Sequence, residues 1–129
     1  MNTLRKGLVG EIAVYYHLIA NYEYNIYFPH VDDHGVDLLV ERDPNDYVKV
    51  QVKTLTEPNH NSAAEVRVKD LDKAGRFDVL ALYVLSIDKI AFIPYEKNRR
   101  SYNLAISPAK NNQRKDRNWF YEYLMFPLK

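Results

Sequence analysis

Apolar residues recur at helical spacing near the start of the chain. From residue 3 to about residue 22 they follow the 3.6-residue period of a helix, and we expect Thr3 to cap it. The predicted buried stripe consists of Leu4, Leu8, Ile12, Tyr15, Leu18, Ile19 and Tyr22. Gly7 and Gly10 lie one turn apart in this helix, where each costs roughly 1 kcal/mol relative to alanine. Such a pair indicates that another backbone, or a ligand, comes close.

The rest of the chain is mostly strand-like. Short apolar or alternating runs predict strands at residues 25–29, 36–42, 47–54, 64–68, 78–86, 90–95 and 102–106. The run at 78–86 is almost continuously apolar, as is typical of a central strand covered on both faces. Short helices are predicted at 69–76 and 117–124. We therefore expect residues 1–129 to form a single α/β domain, with a mixed central sheet flanked by helices.

Residues 36 to 53 predict an antiparallel hairpin that gathers polar side chains at one end. Between its two apolar arms, Asp-Pro-Asn-Asp at residues 43–46 is turn chemistry. Gln51 and Lys53 are two residues apart on one strand and project from the same face. Asp37 begins the other strand at the same end. A carboxylate, an amide and an ammonium group are poor core material, so we expect a catalytic site here.

The register of this hairpin decides whether the three side chains meet. With a two-residue turn at residues 44–45, Asp37 would lie opposite Val52. Because opposed residues share a face, Asp37 would then point away from Gln51 and Lys53. A shared site therefore requires a three- or five-residue loop, or a β-bulge near Asp37.

Oxygen donors near Asp37 suit a magnesium ion, which takes one or two carboxylates and completes its shell with water and substrate phosphate. Gln51 offers an amide oxygen and Val52 a backbone carbonyl. Glu11 falls within the apolar stripe of the helix and could add a second carboxylate; the alternative is that it lies at the edge of the stripe and reaches water. Lys53 could hold or deprotonate a water, or neutralise charge on a phosphate. Together these residues describe a metal-assisted phosphodiester hydrolase.

Composition and charge narrow the class of protein. The chain has no cysteine, which excludes disulfides and thiolate metal sites and makes the cytoplasm the simplest compartment. No apolar run approaches the ~20 residues that span a bilayer, so we expect no membrane segment. Residues 97–129 carry eight basic against two acidic residues (net +6), and residues 1–96 carry ten against fifteen (net −5). A basic C-terminal quarter suits an anionic partner, and an ordinary solvated surface explains it equally well.

Glu11, the Gly-Val-Asp run ending at Asp37 and the Gln-Val-Lys run at 51–53 together resemble the PD-(D/E)XK nuclease superfamily. Longer runs are similar to the branch that contains cyanobacterial group I intron homing endonucleases. They are Arg-Lys-Gly-Leu-Val-Gly-Glu-Ile-Ala, Asp-Asp-His-Gly-Val-Asp-Leu, Val-Gln-Val-Lys-Thr, Phe-Asp-Val-Leu-Ala-Leu-Tyr and Ala-Lys-Asn-Asn-Gln. The resemblance covers most of the chain in order. It implies a restriction-endonuclease-like core and cleavage of DNA that depends on Mg²⁺, with Mn²⁺ as a substitute.

Carried over by position, Asp37 would be the metal-binding aspartate, Lys53 the catalytic lysine and Glu11 the helix carboxylate. Gln51 would occupy the usual acidic position. Two residues depart from the pattern. Valine precedes Asp37 in place of proline, and Gln51 removes a negative charge, which should weaken metal affinity unless Glu11 compensates. The homing branch shares this glutamine.

A second set of candidates, in the basic quarter, would bind DNA: Arg99, Arg100, Lys110, Asn111, Asn112, Gln113, Arg114 and Lys115. Asn and Gln suit adenine edges and Arg suits guanine, while the alternative for residues 110–115 is a polar loop that contacts phosphates or nothing. One site cuts one strand, so we expect a homodimer or dimer of dimers on double-stranded or branched DNA. Three functions stay open: a homing- or restriction-type endonuclease, a Holliday-junction resolvase-like nuclease, and a non-catalytic DNA-binding module on a degenerate nuclease fold.

Overall fold

The computed structural model describes residues 1–30, 35–59, 63–67, 76–107 and 118–128. Within these ranges the helix and strands are α1 (Thr3–Asn21), β1 (Asn25–Tyr27), β2 (Leu38–Asp43), β3 (Asp46–Leu55), β4 (Ala63–Arg67), β5 (Val79–Val84), β6 (Lys89–Pro94) and β7 (Ser101–Ala105). Two short 3₁₀ helices lie at Leu85–Ile87 and Phe120–Tyr123. No helix in the described ranges is long and apolar enough to cross a membrane.

Each predicted strand is present, with its ends moved by at most two residues. The helix predicted at 117–124 is instead the 3₁₀ turn Phe120–Tyr123, and most of the helix predicted at 69–76 lies outside the described residues. The cap of α1 was also predicted one residue late. Asn2 has an extended backbone, and its side chain accepts the Arg5 backbone N–H at 2.9 Å, while Thr3 is already helical.

The central sheet is mixed and has five strands in the order β1-β2-β3-β5-β6. β3 and β5 run parallel, and the other neighbouring pairs are antiparallel. β4 and β7 do not join this sheet; they pair with each other as a separate two-stranded sheet. The expectation of a mixed α/β architecture is confirmed, but its strands are divided between two sheets.

Two apolar clusters cover the two faces of the central sheet. On one face Val14 and Leu18 of α1 pack with buried residues of β2, β3, β5 and β6. On the other face Leu80 and Leu82 of β5 pack with residues of β4, β7 and the second 3₁₀ turn. β5 is buried along its whole length, as its continuously apolar sequence predicted.

The predicted buried stripe of α1 is wrong. The buried residues of the helix are Gly10, Val14 and Leu18, so Leu18 alone of the stripe is buried, and Tyr22, just after the helix, is half-buried. The other five members of the stripe are exposed: Leu4, Leu8, Ile12, Tyr15 and Ile19. The periodicity misled because α1 is apolar on two sides, and spacing cannot tell which side meets the sheet.

Gly10 explains which side of α1 packs against the sheet. A Cβ atom built on Gly10 would lie 1.8 Å from Thr54 Oγ1 and 3.3 Å from Val52 Cγ1, so only glycine allows the helix to approach β3 this closely. A Cβ atom on Gly7 would have nothing within 4 Å. The close backbone approach predicted from the two glycines is therefore made by Gly10 alone.

Candidate active site

The pairing of β2 with β3 departs from that of a simple two-residue hairpin. Residues opposite each other are Leu38 and Val50, Leu39 and Lys49, Val40 and Val48, Glu41 and Tyr47, and Asp43 and Asp46, with a register shift between Glu41 and Asp43. The turn has two residues, 44–45, and Arg42 is the extra residue of the bulge. Leu38 is the first paired residue of β2, and the Asp37 backbone N–H donates to the Val50 carbonyl, so the pairing is irregular at Asp37 as well as beside the turn. The hairpin is therefore not a simple two-residue hairpin, although the printed register does not place Asp37 opposite Gln51.

Arg42 holds the bulge in place through its guanidinium. Its Nε and Nη2 atoms donate to the two carboxylate oxygens of Asp46, both at 2.9 Å, and its Nη1 donates to the Pro127 carbonyl at 2.7 Å. A bidentate pair of this kind fixes geometry as well as contributing energy. The bulge is therefore tied both to the next strand and to the far end of the chain.

The Asp37 carboxylate takes over a position in the hydrogen-bond ladder where β2 separates from β3. Its Oδ2 accepts the Val52 backbone N–H at 2.7 Å, and its own backbone N–H donates to the Val50 carbonyl at 2.8 Å. In a strand the N–H and C=O of one residue point to the same side. The Val52 carbonyl therefore points towards the side of β3 on which Asp37 lies.

Gln51 is only 5% exposed, and its amide is oriented by a backbone carbonyl. Its Nε2 donates to Gly35 O at 2.9 Å. A carbonyl can only accept, so the amide atom that faces Gly35 must be the nitrogen, and Oε1 is at the opposite end of the amide. This role of Gly35 was not predicted from the sequence. The available signal was a glycine two residues before Asp37, which here adopts a left-handed backbone with φ 73°.

Lys53 lies on the same face of β3 as Gln51 and is half-buried. Beside these two residues in the parallel neighbour β5 lie Leu80 and Leu82, both fully buried. The alkyl part of Lys53 therefore lies beside an apolar surface, as is usual for long lysine side chains.

Glu11 follows directly after Gly10, so its backbone lies beside β3 at the level of residues 52–54. Its side chain is half-buried, and by helical spacing it lies between the sheet-facing side of α1 and the exposed side. Its predicted metal role stays a prediction. The structure places Gln51 and Lys53 on one face of β3 and the Asp37 carboxylate against the backbone of Val52 between them, while Glu11 lies on α1, which covers the other face.

The donor atoms of this site fit a magnesium ion. Asp37, the Gln51 amide and the Val52 carbonyl offer oxygen alone, which is what Mg²⁺ prefers, and Mg²⁺ commonly keeps several waters. Among the described residues no group of three His, Asp or Glu side chains could hold a metal. A cation here would therefore meet one carboxylate from the hairpin, and Glu11 stays the predicted source of a second.

The predicted DNA-binding residues are only partly described. Arg99 is engaged locally: its Nε donates to the Ser101 carbonyl at 2.9 Å, its Nη1 lies 3.2 Å from Glu96 Oε2, and its guanidinium carbon is 4.4 Å from the centre of the Tyr102 ring. Arg100 is exposed. Residues 110–115 lie outside the described residues, so their predicted roles stay predictions.

The comparisons with known proteins agree with this architecture. A family model described as PD-(D/E)XK endonuclease matches residues 1–126. Among solved structures, the chain is similar to a bacterial homing endonuclease, I-Ssp6803I, with a TM-score of 0.70 and 19% identity over 95% of this chain and 86% of that one. No curated protein matches the chain. The structural likeness confirms the predicted restriction-endonuclease-like fold.

Proposed function

The chain belongs to the PD-(D/E)XK endonuclease family, and from that premise we propose that it is a Mg²⁺-dependent DNA endonuclease of the homing or restriction type, working as one domain over residues 1–129. The observation that carries the proposal is the hydrogen bond of 2.7 Å from the Val52 backbone N–H to Asp37 Oδ2. Val52 lies between Gln51 and Lys53, so this bond brings the carboxylate to the part of β3 that carries the amide and the ammonium group.

The reaction is hydrolysis of a phosphodiester bond, in which water adds to phosphorus and one P–O bond breaks. A magnesium ion held by Asp37, Gln51 Oε1, Val52 O and Glu11 would neutralise charge on the scissile phosphate, and Mn²⁺, which also favours oxygen donors, would substitute. Lys53 holds and orients the attacking water, or accepts part of the charge that develops on the phosphate oxygens.

Gln51 is the most unusual member of the proposed site, because it places an uncharged amide where the family usually has a carboxylate. Its hydrogen bond to Gly35 supports the proposal, since it sets the amide oxygen in place before any ion binds. A pre-oriented ligand loses less conformational freedom on binding. We expect the metal to bind more weakly than at a site with two carboxylates in the hairpin, and Glu11 to supply part of the missing charge.

The proposed substrate is double-stranded or branched DNA. A homing endonuclease with a similar fold supports the homing type, and the basic residues of the C-terminal quarter, Arg100 among them, would contact phosphates. A single site cuts a single strand. Double-strand cleavage therefore calls for a homodimer or a dimer of dimers.

The direct test is to incubate the purified protein and Mg²⁺ with plasmid, branched DNA and single-stranded DNA. We expect plasmid cleavage, and we expect Lys53→Ala and Asp37→Ala each to reduce its rate at least ~100-fold, the usual contribution of a group that moves or holds a proton. Lys89→Ala and Asp43→Ala are matched controls. Both residues are exposed and belong to strands of the same sheet, away from the predicted site, so their loss should leave cleavage unchanged.

Other outcomes would contradict the site or support a different function. Wild-type rates in both site variants would contradict the assignment of the site. Cleavage restricted to branched DNA would favour a resolvase-like nuclease. Binding to DNA with no cleavage of any substrate would favour a non-catalytic module, as the uncharged Gln51 would allow.

A further inference from the structure

The outward side of α1 is apolar along nearly its whole length. Six large side chains form this outer stripe: Leu4 (86% exposed), Leu8 (56%), Ile12 (56%), Tyr15 (38%), Tyr16 (71%) and Ile19 (47%). Among the exposed side chains of the helix, all of which lie in the described part of the chain, Arg5 carries the single charge. A helix that is apolar on both sides is normally found covered on both sides.

The outer stripe is large enough to support a stable association. It runs about 22 Å along the helix axis, and Phe28, which is 53% exposed, widens it, its ring centre lying 5.3 Å from that of Tyr15. The three exposed aromatic rings alone present roughly 300 Å². The four aliphatic side chains raise the total towards the ~800 Å² that each partner of a standard interface buries.

We propose that the outer stripe is the surface through which two copies of this chain associate, with the two α1 helices packed antiparallel about a twofold axis near Ile12. In this arrangement Ile12 meets its own copy, and Leu4 of one chain lies opposite Ile19 of the other. Such an interface is isologous, so one self-complementary stripe serves both chains.

The charge pattern of α1 favours its own antiparallel copy as the partner. The first turn has no acidic residue and the last turn has no basic one, and Arg5 and Lys6 add positive charge near the positive end of the helix dipole. An antiparallel copy brings its negative C-terminal end, followed by Glu23, beside Arg5. The negative end of each helix thereby offsets the positive charge at the start of the other helix. A parallel pair would instead place the two basic ends together.

The interface also has a consequence for the site. Glu11 lies at the border between the outer stripe and the sheet, so the twofold axis would hold two candidate sites at a set separation, one for each DNA strand. The association itself does not require nuclease activity. Its use in double-strand cleavage rests on the proposed function.

The first test is sedimentation equilibrium of the chain without DNA. We expect a dimer at micromolar concentration, and we expect Leu8→Glu and Ile12→Glu each to raise the dissociation constant at least 100-fold without changing the circular dichroism spectrum, because both residues are exposed in one chain. Tyr121→Glu is the matched control: Tyr121 is 45% exposed beside Phe120, which packs on the opposite face of the sheet. A monomeric wild type, or a dimer that survives both changes in the stripe, would overturn the proposal.

The second test reads the orientation of the helices through single cysteines, which the natural chain lacks. Under mild oxidation, Ile12→Cys should form a covalent dimer and Tyr121→Cys should not. A mixture of Leu4→Cys and Ile19→Cys chains should cross-link to each other, and Leu4→Cys alone should not cross-link. Self-linking of Leu4→Cys would overturn the antiparallel arrangement. An α1 dimer that cleaves no DNA would refute only the proposed function, and a monomer that nicks DNA would refute only this inference.

Discussion

The two faces of β3 differ in how their side chains are held. Val50, Val52 and Thr54 point to the side covered by α1, and Gln51 and Lys53 point to the opposite side, because side chains alternate along a strand. On the packing side, the buried Thr54 hydroxyl has no hydrogen-bond partner among the described residues and fills volume beneath Gly10. On the other side, the buried Gln51 amide is held by Gly35.

The two faces should therefore tolerate change in different ways. On the face covered by α1, packing depends on shape, and an added or removed methyl group changes the free energy of unfolding. The other face also packs on an apolar cluster, but Gln51 and Lys53 depend in addition on the orientation of a few polar atoms. Changes under α1 should therefore alter stability alone, and changes at Gln51 or Lys53 should also alter metal response and cleavage.

The largest contrast in stability should come from two adjacent leucines of β2. Leu38 is fully buried on the packing face, and Leu39, which lies opposite Lys49, is half-buried on the face of Gln51. Leu38→Ala should lower the free energy of unfolding by about 2–5 kcal/mol, and Leu39→Ala by about 1 kcal/mol, since less apolar area is lost. Urea denaturation of both variants measures the difference. Equal losses would show that the two faces are not distinct in packing.

A second contrast uses the two glycines of α1. Gly10→Ala forces a methyl group against Thr54 and should cost about 1–3 kcal/mol of stability. Gly7→Ala meets open space and should raise stability by roughly 0.5–1 kcal/mol, because alanine favours the helix. Thermal unfolding followed by circular dichroism distinguishes the two. A neutral Gly10→Ala would mean that α1 can move away from β3 without loss.

The third contrast lies on the polar face and concerns the response to metal. Gln51→Glu leaves the Gly35 carbonyl without its donor and places a carboxylate in a buried position, so it should cost about 1–3 kcal/mol without metal. Added Mg²⁺ should then stabilise this variant more than the wild type, because the new negative charge strengthens cation binding. Thermal shift with and without Mg²⁺ measures both effects.

Gln51→Met is the control for this experiment. It removes the same hydrogen bond and adds no charge, so Mg²⁺ should not stabilise it beyond the wild type. A Gln51→Glu variant that gains nothing from Mg²⁺ would remove Gln51 from the proposed metal site.

Local patterns in the sequence predict the strands and the hairpin, and they require an irregular pairing within it. The period of two placed Gln51 and Lys53 on one face, and the turn residues located the hairpin that brings Asp37 to their level. Counting residues around the turn then required an irregularity in the pairing, which is present at Arg42. These inferences succeed because alternation and turn chemistry depend only on neighbours in the chain.

How these elements pack together depends on contacts between residues that are far apart in the chain. The bulge is held by Pro127, which lies 85 residues further along the chain, and Gln51 is oriented by Gly35, 16 residues before it. Which side of α1 is buried also depended on contact between Gly10 and Thr54. The sequence does not predict the buried side of α1, because the helix is apolar on two sides and only its packing against β3 leaves one of them exposed.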